Sequence, residues 1–147
     1  MFRGRFVHAI DVKGRVSIPA GFRMELQRRS QLAPILTIQP EHLVLYARED
    51  FDAFAKRLID VDPLRTEGRA LQRFLISNSD ECEPDAQGRI LIPPHLRTHA
   101  QLEREVVIAG VGNSIEIWDR RRFEEDQART LARFGEISME VSKIGHS

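Results

Sequence analysis

The sequence has 147 residues, of which 41% are hydrophobic and 30% are charged, and its formal net charge is zero. This length predicts about one domain, and the composition excludes a wholly disordered chain, which needs low hydrophobicity or a large net charge. The single cysteine, Cys82, excludes an internal disulfide framework. No run of about 18 apolar residues predicts a transmembrane helix, and the basic start lacks the apolar stretch of a secretory signal. We therefore expect a cytoplasmic location.

Positive charge is concentrated in the first fifth of the chain. Residues 1–29 carry seven cationic side chains against two acidic ones, namely Arg3, Arg5, Lys13, Arg15, Arg23, Arg28 and Arg29 against Asp11 and Glu25. The chain has 19 arginines and three lysines, and arginine makes forked contacts with phosphate and guanine. Arginine richness can equally reflect genomic base composition. Arg3, Arg5 and Lys13 are candidates for phosphate contacts or belong to an ordinary solvated surface.

The first third of the chain predicts a strand, a turn, a second strand, a helix and two more strands. Asp-x-x-Gly is a turn signal, because Asp can cap local amides and Gly supplies positive φ. Pro19 ends the second strand and can open the helix. The predicted elements are a strand at Phe6–Ile10, a turn at Asp11–Gly14, a strand at Arg15–Ile18, a helix at Ala20–Arg29 and strands at Ile35–Gln39 and His42–Tyr46.

A helical connector follows. Glu49–Val61 has apolar residues at helical spacing. Asp62 followed by Pro63 is a start signal for a second helix, which we expect to run to about Ile76.

The remaining chain predicts the same order of elements again, followed by a last helix. This helix starts near Asp119 and ends at Gly135, and we expect residues 136–147 to be frayed. The elements before it are a strand at Arg89–Ile92, a helix from Pro93 to about Ala100, and strands at Glu105–Ala109 and Ser114–Trp118.

The two halves are an internal repeat. At an offset of 74, residues 11–23 and 85–97 are identical at six of 13 positions: Asp11/Asp85, Gly14/Gly88, Arg15/Arg89, Ile18/Ile92, Pro19/Pro93 and Arg23/Arg97. The similarity continues at an offset of 72, where Phe51 corresponds to Phe123. Each copy alone would leave open strand edges, so we predict that both copies close into one pseudo-twofold β-barrel surrounded by helices. The predicted divisions are a first copy at 5–51, a connector at 52–77, a second copy at 78–123 and a C-terminal helix and tail at 124–147.

The repeated Asp-x-x-Gly-Arg unit has a chemical interpretation. Asp11 and Asp85 fix the turns, and Gly14 and Gly88 allow the chain to reverse. An Asp four residues before an Arg can hold the guanidinium in one orientation, which suits recognition of guanine or phosphate. Arg15 and Arg89 are therefore candidate DNA-binding residues. The alternative is that both pairs are only structural ion pairs.

Several other side chains have plainer interpretations. For Tyr46 and Trp118 the pattern favours packing over base stacking, and for Arg23 and Arg97 it favours a bridge between helix and barrel. For His95 and His99 it favours a helix surface over a metal site, and for Cys82 it favours apolar burial.

Catalysis is disfavoured. Asp11 and Asp85 could form an acid–base pair, but the arginine beside each keeps it ionised. No nucleophile elbow, phosphate loop or metal-ligand set stands in the sequence. We predict a non-enzyme without cofactor or metal.

The chain resembles a known family. The two Asp-x-x-x-Arg units resemble the AbrB-like DNA-binding fold. The chain also resembles the MraZ family of bacterial transcriptional regulators. The residues that carry this resemblance are the Met1-Phe2-Arg3-Gly4 start, Glu81-Cys82-Glu83, Asp85, Gly88-Arg89-Ile90, Ile92-Pro93, Leu96-Arg97 and Glu116-Ile117-Trp118. The resemblance covers about residues 1–125.

The resemblance implies an α+β fold that is mainly β, in which both copies together form a double-split, swapped-hairpin β-barrel. It also implies binding to repeated motifs in the promoter of the division and cell-wall gene cluster, a closed ring of subunits at the nucleoid, and no membrane association. Arg15 and Arg89 match the DNA-contacting positions. The copies differ at Lys13 and Gln87, so they need not contribute equally. The alternative is a protein–protein interaction module of the same fold, antitoxin-like or a scaffold.

Overall fold

The computed structural model describes residues 1–60 and 64–145, which fold into a mixed α+β protein. The described strands are β1 (Arg5–Ala9), β2 (Arg15–Ser17), β3 (Ile35–Ile38), β4 (Leu43–Tyr46), β5 (Asp80–Glu81), β6 (Arg89–Leu91), β7 (Glu105–Gly110) and β8 (Ile115–Asp119). The described helices are α1 (Ala20–Arg29), α2 (Arg48–Ile59), α3 (Thr66–Ser77), α4 (Pro94–His99), α5 (Arg120–Ala132) and α6 (Phe134–Gly145).

The strands pair across the two halves of the repeat. Six of them form an antiparallel sheet in the order β1-β7-β8-β4-β3-β5, and β2 pairs with β6 in a separate two-stranded ribbon. The first strand of each half thus lies against the other half, β1 on β7 and β5 on β3. Exchanging the halves maps this strand order onto itself, so the repeat in the sequence is a pseudo-twofold symmetry of the fold.

The core lies between the six-stranded sheet, the ribbon and the short helices. Both halves contribute fully buried side chains to it, including Val16, Leu36, Leu45, Ile90 and Ile108. The outer face of the sheet carries further buried side chains under the later helices. In the second half these are Val107, Ala109 and Trp118, which form one buried cluster with Phe123 of α5.

Most predicted elements are confirmed to within two residues, but the C-terminal prediction is wrong. Residues 136–145 are helical instead of frayed, and the break between the last two helices falls at Arg133 instead of Gly135. The cause is an apolar residue pattern at helical spacing, Phe134, Ile137 and Val141, which the tail prediction did not include. The predicted start signal at Asp62 and Pro63 lies outside the described residues, and the second connector helix is described from Thr66.

Candidate nucleic-acid interface

The two Asp-x-x-Gly-Arg units lie side by side on the β2–β6 ribbon. Arg15 is paired with Leu91, Val16 with Ile90, and Ser17 with Arg89. Side chains alternate across a strand, and the central pair, Val16 and Ile90, is completely buried. The other face therefore carries both arginines, which are diagonal neighbours about 7–8 Å apart at the backbone.

The first turn is held by one carboxylate. Asp11 Oδ1 accepts hydrogen bonds from the backbone N–H groups of Lys13 (3.0 Å) and Arg15 (2.9 Å), and Oδ2 accepts from Arg15 Nε at 2.7 Å. The Gly14 N–H donates to the Asp11 carbonyl at 3.0 Å, and Gly14 has a φ of +88°. A glycine is required there because positive φ is unfavourable for other residues. The Asp11 carboxylate thus fixes both the turn and the orientation of the Arg15 side chain.

The second turn repeats this arrangement atom for atom. Asp85 Oδ1 accepts from the N–H groups of Gln87 and Arg89, both at 2.9 Å, and Oδ2 accepts from Arg89 Nε at 3.1 Å. Gly88 has a φ of +79°. The predicted ion pairs are confirmed in both copies, and the structure brings the two copies of the motif onto one surface.

Both aspartates are held in the charged form. The hydrogen bond from the Arg15 amide is the largest cause that lowers the pKa of Asp11, and the Arg89 amide does the same for the pKa of Asp85. Each carboxylate therefore stays ionised at neutral pH and keeps its arginine oriented. This arrangement disfavours the shared-proton pair that acid–base catalysis would need.

The arginines keep their terminal nitrogens available. In each pair the carboxylate engages Nε, and among the described residues Nη1 and Nη2 of Arg15 and Arg89 have no hydrogen-bond partner. Both side chains are about a third exposed, 34% and 29%. A guanidinium that is held at Nε and open at its outer edge can donate two parallel hydrogen bonds to a guanine or a phosphate.

Two further arginines connect each half to the turn of the other half. Arg23 Nε donates to the Ile18 carbonyl at 3.0 Å, and its guanidinium lies directly beside Gly88. Arg97 Nη1 donates to the Val12 carbonyl in the first turn at 3.3 Å. The sequence-based bridging role of Arg23 and Arg97 is confirmed, and what they bridge is the opposite turn.

The structure separates the remaining basic candidates. Lys13 is exposed in the first turn, next to Arg15. Arg3 and Arg5 lie at the other end of β1 from that turn, where Arg5 is placed 5.5 Å from the centre of the Phe123 ring. The length of β1 therefore lies between them and the ribbon, and phosphate contact by Arg3 and Arg5 stays a prediction.

Exposed residues that the sequence interpretation did not single out complete the surface. Val12 at the tip of the first turn is 94% exposed, and Leu91 on the ribbon is 58% exposed. Ser17 is half-buried on the same ribbon face as Leu91. The period-two alternation around buried Val16 is the signal that would have identified Ser17 and Leu91.

The other candidate groups have structural roles. Tyr46 stacks on Phe54, and Trp118 is buried and stacks on His42 at 4.2 Å, so packing of both aromatics is confirmed. His99 Nε2 lies 2.6 Å from the Gln39 carbonyl. Burial raises the pKa of the Cys82 thiol to about 12.

The described residues contain no group of three or more His, Cys, Asp or Glu side chains able to hold a metal ion. No helix in the same part of the chain is long and apolar enough to cross a membrane.

A family model and several relatives match this chain. The family model described as "MraZ protein, putative antitoxin-like" matches twice, over residues 1–74 and 75–139. The chain belongs to the MraZ family. One member, the "Transcriptional regulator MraZ" of Alkaliphilus oremlandii, is 39% identical over 145 residues, which are 99% of each chain. The same-named protein of Moorella thermoacetica is 42% identical over 138 residues, 90% of this chain and 94% of the relative. The two matched segments each contain one Asp-x-x-Gly-Arg turn, so the MraZ family unit is the internal repeat.

Proposed function

We propose that this protein is a sequence-specific DNA-binding transcriptional regulator that reads DNA with the β2–β6 ribbon. The observation that carries the proposal is the pair of carboxylate-anchored arginines on one exposed ribbon face. The relatives are named transcriptional regulators, which agrees with this proposal. Arg15 and Arg89 are proposed to contact bases, while Lys13 contacts phosphate and positions the ribbon.

The size of the ribbon supports this proposal. The major groove of B-DNA admits a two-stranded β-ribbon. The diagonal spacing of about 7–8 Å between the two arginines corresponds to roughly two base-pair steps of about 3.4 Å each. One protomer therefore addresses a short sequence, and Asp11 and Asp85 reduce the entropy that each guanidinium loses on binding.

One protomer offers few contacts, so we propose that affinity comes from several protomers on repeated motifs. The net charge is zero, which provides no bulk attraction to DNA. Linked weak sites gain affinity through effective concentration. A ring formed by head-to-tail contacts supplies such linkage. The proposed target is the promoter of the division and cell-wall gene cluster, which places the protein in the cytoplasm at the nucleoid.

We also infer that the ribbon and the six-stranded sheet close into a swapped-hairpin barrel of the AbrB and MraZ type. Three observations support it: the exchange of β1 and β5 between the halves, the pairing of β2 with β6, and a continuous core between sheet and ribbon. Closure would hold the two turns in a fixed relative position.

Capture of fragmented genomic DNA with the purified protein tests the function. We expect enrichment of a promoter with direct repeats, and binding that weakens as salt rises, since each phosphate neutralised by a protein cation adds about 0.9 to the salt slope. Uniform recovery of all fragments would contradict sequence-specific binding.

A second candidate is a protein–protein module, favoured by the words "antitoxin-like" in the family description. Such a module needs the fold but not the outward-facing arginines. If an Arg15→Ala variant has lost DNA binding but still performs the protein's role in the cell, that result would support this candidate. We also propose that the protein is not an enzyme, because Asp11 and Asp85 are both ionised and an acid–base pair would need one of them protonated.

A further inference from the structure

The outward face of the β2–β6 ribbon carries four side chains in a two-by-two arrangement. Arg15 lies directly opposite Leu91, and Ser17 lies directly opposite Arg89. Directly opposite residues point to the same side of a ribbon, with Cβ atoms about 4.5–5.5 Å apart. Each arginine therefore has one cross-strand neighbour on this face, which is apolar for Arg15 and carries a hydroxyl for Arg89.

The repeat makes this difference informative. Position 17 of the first half corresponds to position 91 of the second, so an exact repeat would give both arginines the same neighbour. The turns differ in the same sense, because Val12 in the first turn corresponds to Ala86 in the second. Val12 and Leu91 are both exposed. Exposed apolar surface is therefore concentrated around Arg15 and is small around Arg89.

The position of Leu91 is fixed even though its side chain is exposed. The N–H of Ile92, the next residue, donates to the Gly14 carbonyl at 2.9 Å. The Leu91 carbonyl accepts a hydrogen bond from Cys82 Sγ at 3.4 Å. The backbone thus holds an apolar side chain beside an arginine that its own aspartate orients. Such a surface fits a ligand with an apolar group next to a pair of hydrogen-bond acceptors.

The major groove of DNA offers that combination. Guanine presents the acceptors O6 and N7, and thymine alone among the four bases presents a methyl group, at C5. The neighbour of an arginine that binds guanine lies about 4.5–5.5 Å away, between one and two base-pair steps of about 3.4 Å. Leu91 therefore lies over the base pair next to that guanine. Ser17, beside Arg89, offers a hydroxyl, which can bond to different bases and selects none.

We propose that Leu91 is a specificity-determining residue that contacts the C5 methyl group of a thymine next to the guanine bound by Arg15. This inference rests on the proposed reading of DNA by the ribbon and names a second base that the ribbon recognises. Because Ser17 stands beside Arg89, the two sides of the ribbon read different sequences. The ribbon therefore binds its site preferentially in one orientation, although its backbone is pseudo-twofold symmetric.

Replacement of thymine by uracil tests this contact, since it removes the C5 methyl group and leaves base pairing unchanged. Genomic fragments captured by the protein are amplified once with dTTP and once with dUTP, and both products are titrated at the same salt concentration. Burial of one methyl group changes affinity about fourfold, so the unmodified protein should bind the uracil product at least about fourfold more weakly. Leu91→Ser, which copies the residue of the first half, should bind both products equally.

Two further variants separate the methyl contact from other effects of substitution. Leu91→Met keeps an apolar side chain and should keep the preference for thymine. Leu32→Ser removes a leucine of matched exposure, 60% against 58% for Leu91, in the segment between α1 and β3, and should behave like the unmodified protein. If Leu91→Ser loses affinity but still prefers thymine, Leu91 acts through the fold or the assembly, and the proposal is overturned.

The same titration distinguishes this inference from the proposed function. If the unmodified protein binds its captured fragments selectively and with equal affinity for thymine and uracil products, the ribbon reads DNA without the methyl contact, and only this inference is overturned. If it prefers no genomic fragment, both proposals are overturned. Single uracil substitutions in a captured fragment should weaken binding only at thymines next to a guanine; a loss spread evenly over all thymines would also overturn the inference.

Discussion

Replacing Arg15 by Ala should remove specific DNA binding and leave the fold intact. The Arg15–Asp11 pair is about a third exposed on both sides, and such a solvent-exposed pair contributes little to stability. In the variant, Asp11 Oδ1 still accepts from the backbone amides of residues 13 and 15. The turn therefore persists, and we expect a small change in the melting temperature.

The expected loss of affinity is much larger. A bidentate arginine–guanine contact contributes about 1–3 kcal/mol of discrimination, which is about 5- to 150-fold per protomer. Three protomers on three repeats multiply this factor, so the loss should reach at least about 100-fold. The assay is a gel-shift titration against repeat DNA at fixed salt.

Arg121→Ala is the control, because it removes the same charge from an ion pair with Glu125 on α5 in which the Arg121 side chain is 86% exposed. It should leave affinity nearly unchanged. Equal affinity of the Arg15→Ala variant and the unmodified protein would refute base contact by Arg15. Equal losses in both variants would show that net charge alone governs binding.

Four further predictions follow from individual contacts. Arg89→Ala should weaken binding less than Arg15→Ala, since the second turn carries Gln87 where the first carries a lysine; an equally complete loss with normal melting would show that both copies contribute equally. Gly88→Ala should lower the melting temperature, because its Cβ would lie 2.5 Å from Arg23 Cζ at a φ of +79°, whereas the control Gly21→Ala, which meets no atom within 4 Å in α1, should raise it slightly. Arg28 and then Arg29 lower the pKa of Glu25 from 4.5 to about 2. The contribution of the Glu25 carboxylate to folding stability is therefore complete above pH 4.5 and is lost as the pH falls towards 2. The stability of the Glu25→Gln variant, measured by acid unfolding, should not change with pH in this way. The native Cys82 thiol, with its pKa raised to about 12, should react with iodoacetamide at pH 8 only after unfolding.

The local structure of the candidate site could be predicted from the sequence. Asp-x-x-Gly specifies a turn through its own side chain and its positive φ, so both turns and the strands beside them are confirmed. The helix after each turn is also local, because Pro19 and Pro93 precede helix starts. Each of these features depends on residues that are close in the chain.

The pairing between the halves could not be predicted in detail. Since both halves carry similar strands, their alternation does not specify whether β1 pairs within its own half or with β7. Burial of Val16 against Ile90 selects the exchanged arrangement, and that selection involves residues 74 positions apart. The two-residue strand β5 is too short to give a periodic signal. The rule that chain ends fray gave the wrong result for α6 because it ignored the apolar residues at helical spacing within that segment.

The most direct measurement of DNA reading by several protomers is a fluorescence titration with DNA that carries one, two or three repeats. Repeats about 10 bp apart present the same face of the duplex to neighbouring protomers. We predict that affinity rises steeply from one repeat to three, and that an insertion of about half a turn between two repeats removes most of the gain. Equal affinities across the whole series would contradict this mechanism and show that each protomer binds alone.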